Sequence, residues 1–311
     1  MSSFWVFPGQ GAQQPGMLNQ LPDEQSMRDC LSEASDALGE DVLLLDSEQM
    51  LQSTRAVQLC LLIAGVASAR LLKTQGCAPD TVAGLSIGAY PAAVVAGSLG
   101  FTDAVRLVAL RGELMQNAYP QGYGMTAIIG LDLTAVEALV AEVHGPQQPV
   151  YLANINAESQ FVISGSAEAM GEVARLAKAS GAATVKRLAV SVPSHCALLE
   201  QPAQALAEAF ANVTIKAPAV RYLSGSTARP MLTADKLHDD LAFNMCRVID
   251  WRSTVQTAYE RGARLQIEFP PGTVLTGLAR KVFEQGTAVA FQGARLDSLV
   301  ALSREEGRRN P

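Results

Sequence analysis

Thr81-Val-Ala-Gly-Leu-Ser-Ile-Gly88 opens as a short apolar run and closes as Gly84-x-Ser86-x-Gly88, with a helix-forming run to Ala96 behind it. A strand that turns sharply into a helix around a serine needs small residues on both sides, and the turn lifts the hydroxyl clear of the sheet. The backbone N–H of Ile87, at the start of the helix, then points to where an oxyanion would develop. The same five residues also fit a glycine-rich turn with an N-capping serine. The strand before and the helix after favour the nucleophile.

Outward from this turn, short Val- and Ile-rich runs alternate with longer helical patterns, which predicts an α/β fold with a mainly parallel sheet. A first strand at Phe4–Phe7 stops at the breaker Pro8-Gly9, and helices are predicted over Glu24–Leu38, Thr54–Gln75, Ile87–Ala96 and Thr102–Tyr119. The next stretch reads as strand Met125–Gly130, helix Leu133–Val143, strands Val150–Asn154 and Phe161–Ser164, helix Ala167–Ala179 and strand Ala183–Leu188. That is the β-α-β-β-α-β order of a ferredoxin-like unit. It follows a glycine-bearing joint, Pro120-Gln-Gly122-Tyr-Gly124, and ends before Pro193. The expected organisation is a large α/β domain, 1–123 and 193–311, with a ferredoxin-like domain, 124–192, inserted in it. After Pro193 a helix at Pro202–Phe210 and strands at Val220–Leu223 and Leu265–Glu268 resume the larger pattern.

Composition narrows the chemistry. The chain has 311 residues, 49% of them apolar and 17% charged, as in a well-buried globular enzyme. A net charge of -6 argues against nucleic acid, which requires clustered Lys and Arg. Arg304, Arg308 and Arg309 gather at one end and read as a solvated terminus. No basic segment followed by a long apolar stretch opens the chain. The most apolar window, Leu59–Val66, is about half of the roughly 20 residues that span a bilayer, so it reads as a buried helix. The five cysteines form no C-x-x-C pair and no two histidines sit at ligand spacing, so neither disulfides nor a metal site are expected. A reduced cytoplasmic setting fits this usage.

A serine hydroxyl needs a base, and the chain offers three histidines. His144 precedes Gly145-Pro146 and reads as the C-terminal cap of a small-domain helix. His238 lies among Lys236, Asp239 and Asp240 and is expected to face solvent. His195 follows Ser191-Val-Pro-Ser194, where the chain re-enters the large domain at a loop before a helix. Sites are built at such junctions, although a helix-start residue capped by Ser194 has the same sequence. His195 is the favoured base. More than a hundred residues follow it and no carboxylate is an evident partner, unlike the Ser–acid–His order of α/β-hydrolases. A Ser–His dyad steered by a backbone carbonyl fits instead.

Taken together, the motifs resemble the malonyl-CoA:acyl-carrier-protein transacylases. The resemblance covers nearly the whole chain and rests on Phe7-Pro-Gly-Gln-Gly-Ala-Gln13, Gly84-Leu-Ser-Ile-Gly88, Arg111-Gly112 with Met115-Gln116, Ser191-Val-Pro-Ser-His-Cys-Ala-Leu198, and Pro271-Gly272 with Val274-Leu-Thr-Gly-Leu278. It implies a hydrolase-like large domain with a ferredoxin-like insert. It implies that Ser86 is acylated, that His195 is base and acid, and that the N–H groups of Gln10 and Ile87 form the oxyanion hole. Arg111 would grip the malonyl carboxylate, whose two oxygens match the parallel donors of a guanidinium. Taken from the residues alone, Arg111 also fits a helix-surface arginine paired with Glu113 or Asp103.

Four positions depart from the usual pattern of that family. Leu85 stands for a His, Ala89 for a Glu, Asn244 for a substrate-side Gln beside the catalytic His, and Pro270 for a Gly. These departures resemble the transacylase subunit of bacterial malonate decarboxylase, which implies a small carrier subunit as acceptor and other decarboxylase subunits as partners. The alternative is malonyl loading for fatty acid or polyketide synthesis. In either case the resemblance implies coenzyme A thioesters as donors, an acyl carrier protein as acceptor, and no metal or redox cofactor. Two rivals remain: a thioesterase that hands the acyl group to water, and a non-catalytic carrier-docking subunit.

Overall fold

The computed structural model describes residues 2–308. The first part of the chain runs β1 (Ser2–Phe7), α1 (Gln25–Leu38), α2 (Thr54–Thr74), β2 (Thr81–Gly84), α3 (Ala89–Val95) and α4 (Phe101–Ala118). The second gives β3 (Tyr123–Ile129), α5 (Leu133–Val143), β4 (Val150–Ala157), β5 (Gln160–Ser166), α6 (Ala167–Ala179) and β6 (Thr184–Arg187). It continues with α7 (Glu200–Ala209), β7 (Arg221–Leu223), β8 (Pro230–Met231), α8 (Ala234–Phe243) and β9 (Ile249–Asp250). The chain closes through α9 (Trp251–Glu260), β10 (Ala263–Glu268), α10 (Val274–Ala279), β11 (Thr287–Ala290) and α11 (Leu296–Arg308).

Two sheets organise these elements. The larger has the order β11-β10-β1-β2-β7-β8 and is parallel apart from the β7–β8 pair. Its central strands are buried on both faces, from Phe4 to Phe7 without interruption, as expected where helices cover both sides. The smaller has the order β6-β3-β5-β4-β9. Its first four strands pair antiparallel and, with α5 and α6 against one face, form the ferredoxin-like unit read from the sequence. The fifth, β9, pairs parallel with β4 and comes from residues 249–250, outside the predicted insert. Two residues carry no periodicity, so pattern reading passes over such a strand.

Helix α2 holds Leu59–Val66 as the buried helix expected, within a longer apolar segment. It is long and apolar enough to cross a membrane by length and composition, yet 89% of its apolar window is buried inside the fold. Its core-facing Gly65 lies against the Phe7 ring, which stacks on Phe269 at 4.8 Å. Gly112 lets α4 come close to α2, because a Cβ there would lie 2.4 Å from Arg55 Cα. Gln116 Oε1 accepts from Thr54 N at 2.8 Å and ties the start of α2 to the end of α4. Arg304 is exposed; Arg309 and the Arg308 side chain lie outside the described residues.

Candidate active site

The turn after β2 is a strained elbow. Ser86 has φ of 57°, a left-handed conformation that non-glycine residues seldom adopt. Leu85 N–H donates to Phe7 O at 3.0 Å and Gly88 N–H to Leu85 O at 3.0 Å, which pins the turn on both sides. Only glycine fits its flanks: a Cβ at Gly84 would sit 1.8 Å from the Gly88 carbonyl carbon, and one at Gly88 would sit 2.2 Å from Phe7 O. The predicted helix from Ile87 begins instead as a tight turn, Ser86–Gly88, before α3. Ile87 is fully buried, and Ser86 is buried too while its side borders a cleft.

That cleft, about 380 Å³, lies between the two sheets. Gln10, Ser86 and His195 line it from the large-sheet side, and Asn154, Asn156 and Gln160 from the small sheet. Lys186 and Arg187 of β6 and Val274, Leu275 and Leu278 of α10 complete its walls. Among the described residues, Asn154 Oδ1 and Asn156 Oδ1 are buried without a hydrogen-bond partner. A larger open groove of about 600 Å³ runs beside α8, among Arg229, Asp239 and Arg247, but holds neither Ser86 nor His195.

His195 also has a positive φ, 64°, and its N–H donates to Met245 O at 2.7 Å. It is therefore not a helix start. Its Nδ1 lies 2.8 Å from Asn244 O. A carbonyl can only accept, so Nδ1 carries the proton and the neutral ring leaves Nε2 bare. Burial lowers the His195 pKa to about 4; the Asn244 carbonyl pulls it up and Arg111 pushes it further down. No carboxylate is needed to fix the tautomer.

The other two histidines serve elsewhere. His144 caps α5, with its N–H on Val140 O at 2.8 Å and Nδ1 2.9 Å from Val150 O. His238 corrects the expectation of a solvent-facing ring: it is half-buried, edge-on to Phe210 at 4.9 Å.

Arg111 is fully buried, so the surface reading of this residue fails, and Glu113 pairs with Arg55 instead at 3.0 Å. Arg111 Nη1 donates to Gln58 Oε1 at 2.7 Å and Nη2 to Asn244 Oδ1 at 3.0 Å. Nη2 also lies 3.5 Å from Ser86 Oγ. Among the described residues its Nε has no partner. Burial lowers the Arg111 pKa to about 10, yet it stays a cation near neutrality. Gln58 was not among the residues singled out from sequence. Its signal was a lone amide in the otherwise apolar stretch Ala56–Val66. Among the described residues no cluster of His, Cys, Asp or Glu is placed to hold a metal ion.

A serine on a strained elbow, a carbonyl-steered histidine and a buried guanidinium, set between a parallel sheet and a ferredoxin-like unit, define an acyl-transferring serine enzyme. The acyl transferase domain model matches residues 4–308. The malonyl CoA-acyl carrier protein transacylase of Escherichia coli K12 is 39% identical over 293 residues, covering 92% of this chain and 94% of that protein. The transacylase of Bacillus subtilis is 34% identical, covering 89% of each chain. The solved malonyl CoA-acyl carrier protein transacylase of Coxiella burnetii superposes with a TM-score of 0.92 at 35% identity, covering 98% of both chains. A malonyl-transacylase solved with a holo type II PKS acyl-carrier protein gives 0.91 at 36% identity, covering 98% of this chain and 100% of that one. The chain belongs to the malonyl CoA-acyl carrier protein transacylase family.

Proposed function

We propose that this protein moves a malonyl group from malonyl-CoA through a Ser86 ester to the thiol of an acyl carrier protein. The observation that carries the reading is Arg111: a fully buried cation held by neutral amides, 3.5 Å from the Ser86 hydroxyl. A buried guanidinium without an anion is unfavourable, and a substrate carboxylate relieves that cost while an acetyl group does not.

In the first half-reaction His195 Nε2 takes the Ser86 proton as Oγ attacks the thioester carbonyl. The oxyanion rests on the N–H groups of Gln10 and Ile87. The intermediate collapses as the C–S bond breaks, and the coenzyme A sulfur leaves with the proton from His195. In the second half-reaction the carrier thiol gives its proton to His195 and attacks the ester; Ser86 Oγ leaves and is reprotonated. The unpartnered oxygens of Asn154 and Asn156 support a cleft that receives an arm bearing amide N–H groups. Within this scheme the small sheet, 124–192, serves as the domain that walls the cleft.

The relatives favour an acceptor from fatty acid or polyketide synthesis over the carrier of a malonate decarboxylase. The latter rests only on Leu85, Ala89, Asn244 and Pro270 and draws no support from the comparisons. Five free cysteines support a reducing compartment such as the cytoplasm.

Intact mass after brief mixing with malonyl-CoA tests the proposal. A single malonyl adduct that maps to Ser86, is absent from Ser86→Ala and passes to an added holo carrier supports it. Release of free malonate as fast as coenzyme A appears would make the protein a thioesterase. A Ser86→Ala protein that still supports its pathway in cells would make it a docking subunit.

A further inference from the structure

Asn244 touches three parts of the proposed machinery, Ser86, His195 and Arg111. It stands in a short turn, Asn244–Cys246, directly after α8. Its backbone carbonyl takes the proton of His195 Nδ1 at 2.8 Å. Its side-chain oxygen accepts from Arg111 Nη2 at 3.0 Å, and its side-chain nitrogen reaches Ser86 O at 3.4 Å.

These partners dictate which way the amide faces. A guanidinium only donates and a carbonyl only accepts, so the oxygen must face Arg111 and the nitrogen must face Ser86. A side chain that both donates and accepts, carries no charge and is nearly buried (3% exposed) meets that demand. An aspartate would turn an acceptor toward the Ser86 carbonyl and would neutralise the cation before any substrate arrived. An alanine would leave Arg111 Nη2 only its long 3.5 Å contact with Ser86 Oγ, with Gln58 on α2 holding Nη1.

We infer that the Asn244 side chain is a positioning residue that sets acyl specificity, aiming the Arg111 guanidinium at Ser86 while leaving its charge free for the carboxylate of the acyl group. This inference rests on the malonyl-transfer reading. It places the choice of acidic over uncharged acyl thioesters in an amide that need not contact the substrate. The backbone bond to His195 survives any change of side chain, so selection and general-base chemistry are separable at this residue.

The test is the rate of acyl-enzyme formation, followed by quenched-flow intact mass, with malonyl-CoA and with acetyl-CoA. Wild type is compared with Asn244→Asp, Asn244→Ala and Asn244→Gln. The malonyl-to-acetyl rate ratio is expected to fall about tenfold or more in the Asp and Ala variants and to survive in Gln, which keeps a neutral donor and acceptor. Both substrates sample the same folded population, so the ratio is unaffected by partial unfolding. A wild-type ratio in both Asp and Ala, whether the two rates fall together or stay put, overturns the inference. Failure of wild type to take any malonyl group sinks the underlying reading instead.

Discussion

Arg111 Nη2 lies 3.5 Å from Ser86 Oγ, which sets a buried cation beside a hydroxyl on a different element. Among the described residues no acidic side chain forms a salt bridge with it; besides that hydroxyl, its acceptors are the amides of Gln58 and Asn244. The two residues are 25 positions apart, and the approach depends on Gly112 letting α4 settle on α2. The guanidinium proposed to bind the acyl carboxylate is thus fixed by helix packing rather than by a mobile loop.

Replacing Arg111 with alanine should therefore strip acid selection without removing the nucleophile. The lost charge pair is of order 3 kcal/mol, so malonyl loading should fall about a hundredfold relative to acetyl loading. Competitive labelling with the two thioesters reads that ratio directly. A variant that retains wild-type preference would remove Arg111 from substrate recognition.

The pH profile follows from His195. The proposed general-base role needs the neutral ring, and burial holds the pKa at about 4. As pH falls, activity should stay level through 6.5, where an exposed histidine would protonate, and decline only as pH approaches 4. Single-turnover malonyl loading between pH 4 and 8 gives the midpoint. A midpoint near 6.5 would mean that water reaches the ring in the working enzyme.

Much of this was legible in the sequence because the motifs announce themselves through local backbone demands. Gly84-x-Ser86-x-Gly88 needs small residues at a sharp turn, and the structure puts those glycines where no Cβ fits. The ferredoxin-like order was readable from periodicity, because its strands are long enough to alternate. Less was legible wherever tertiary contact decides. Gln58 belongs to the site only because α4 packs on α2, and β9 exists only because β4 offers it an edge. Asn244 meets His195 through its carbonyl and Arg111 through its amide, and no side-chain pattern encodes a carbonyl's direction. His238 misled because neighbouring charges say nothing of the Phe210 face on which the ring lies.

The elbow leaves no room for a methyl group. Gly84→Ala would bring its Cβ to 1.8 Å from the Gly88 carbonyl carbon, an overlap with backbone that no rotamer change relieves. Destabilisation of at least about 3 kcal/mol is expected, read as a lower midpoint in urea. An alanine variant with wild-type stability would show that the turn is looser than the contact distances indicate.

Glu268 links the central sheet to the wall of the cleft. It is fully buried at the end of β10, where its two oxygens accept from Leu275 N at 3.0 Å and Thr276 N at 2.6 Å. Burial raises its pKa, while the donors from Thr276 and Leu275 hold it down. The first turn of α10 is anchored by this carboxylate, and Val274, Leu275 and Leu278 of that helix line the cleft. Glu268→Gln keeps the shape but turns an NH2 toward one backbone donor, at a cost of about 1–3 kcal/mol. The helix should shift rather than the sheet, since β10 is held by pairing on both edges. The expected signature is a raised KM for the thioester with a smaller change in kcat, alongside a modest fall in Tm. A fall in Tm with KM unchanged would confine Glu268 to stability and leave the cleft wall independent of it.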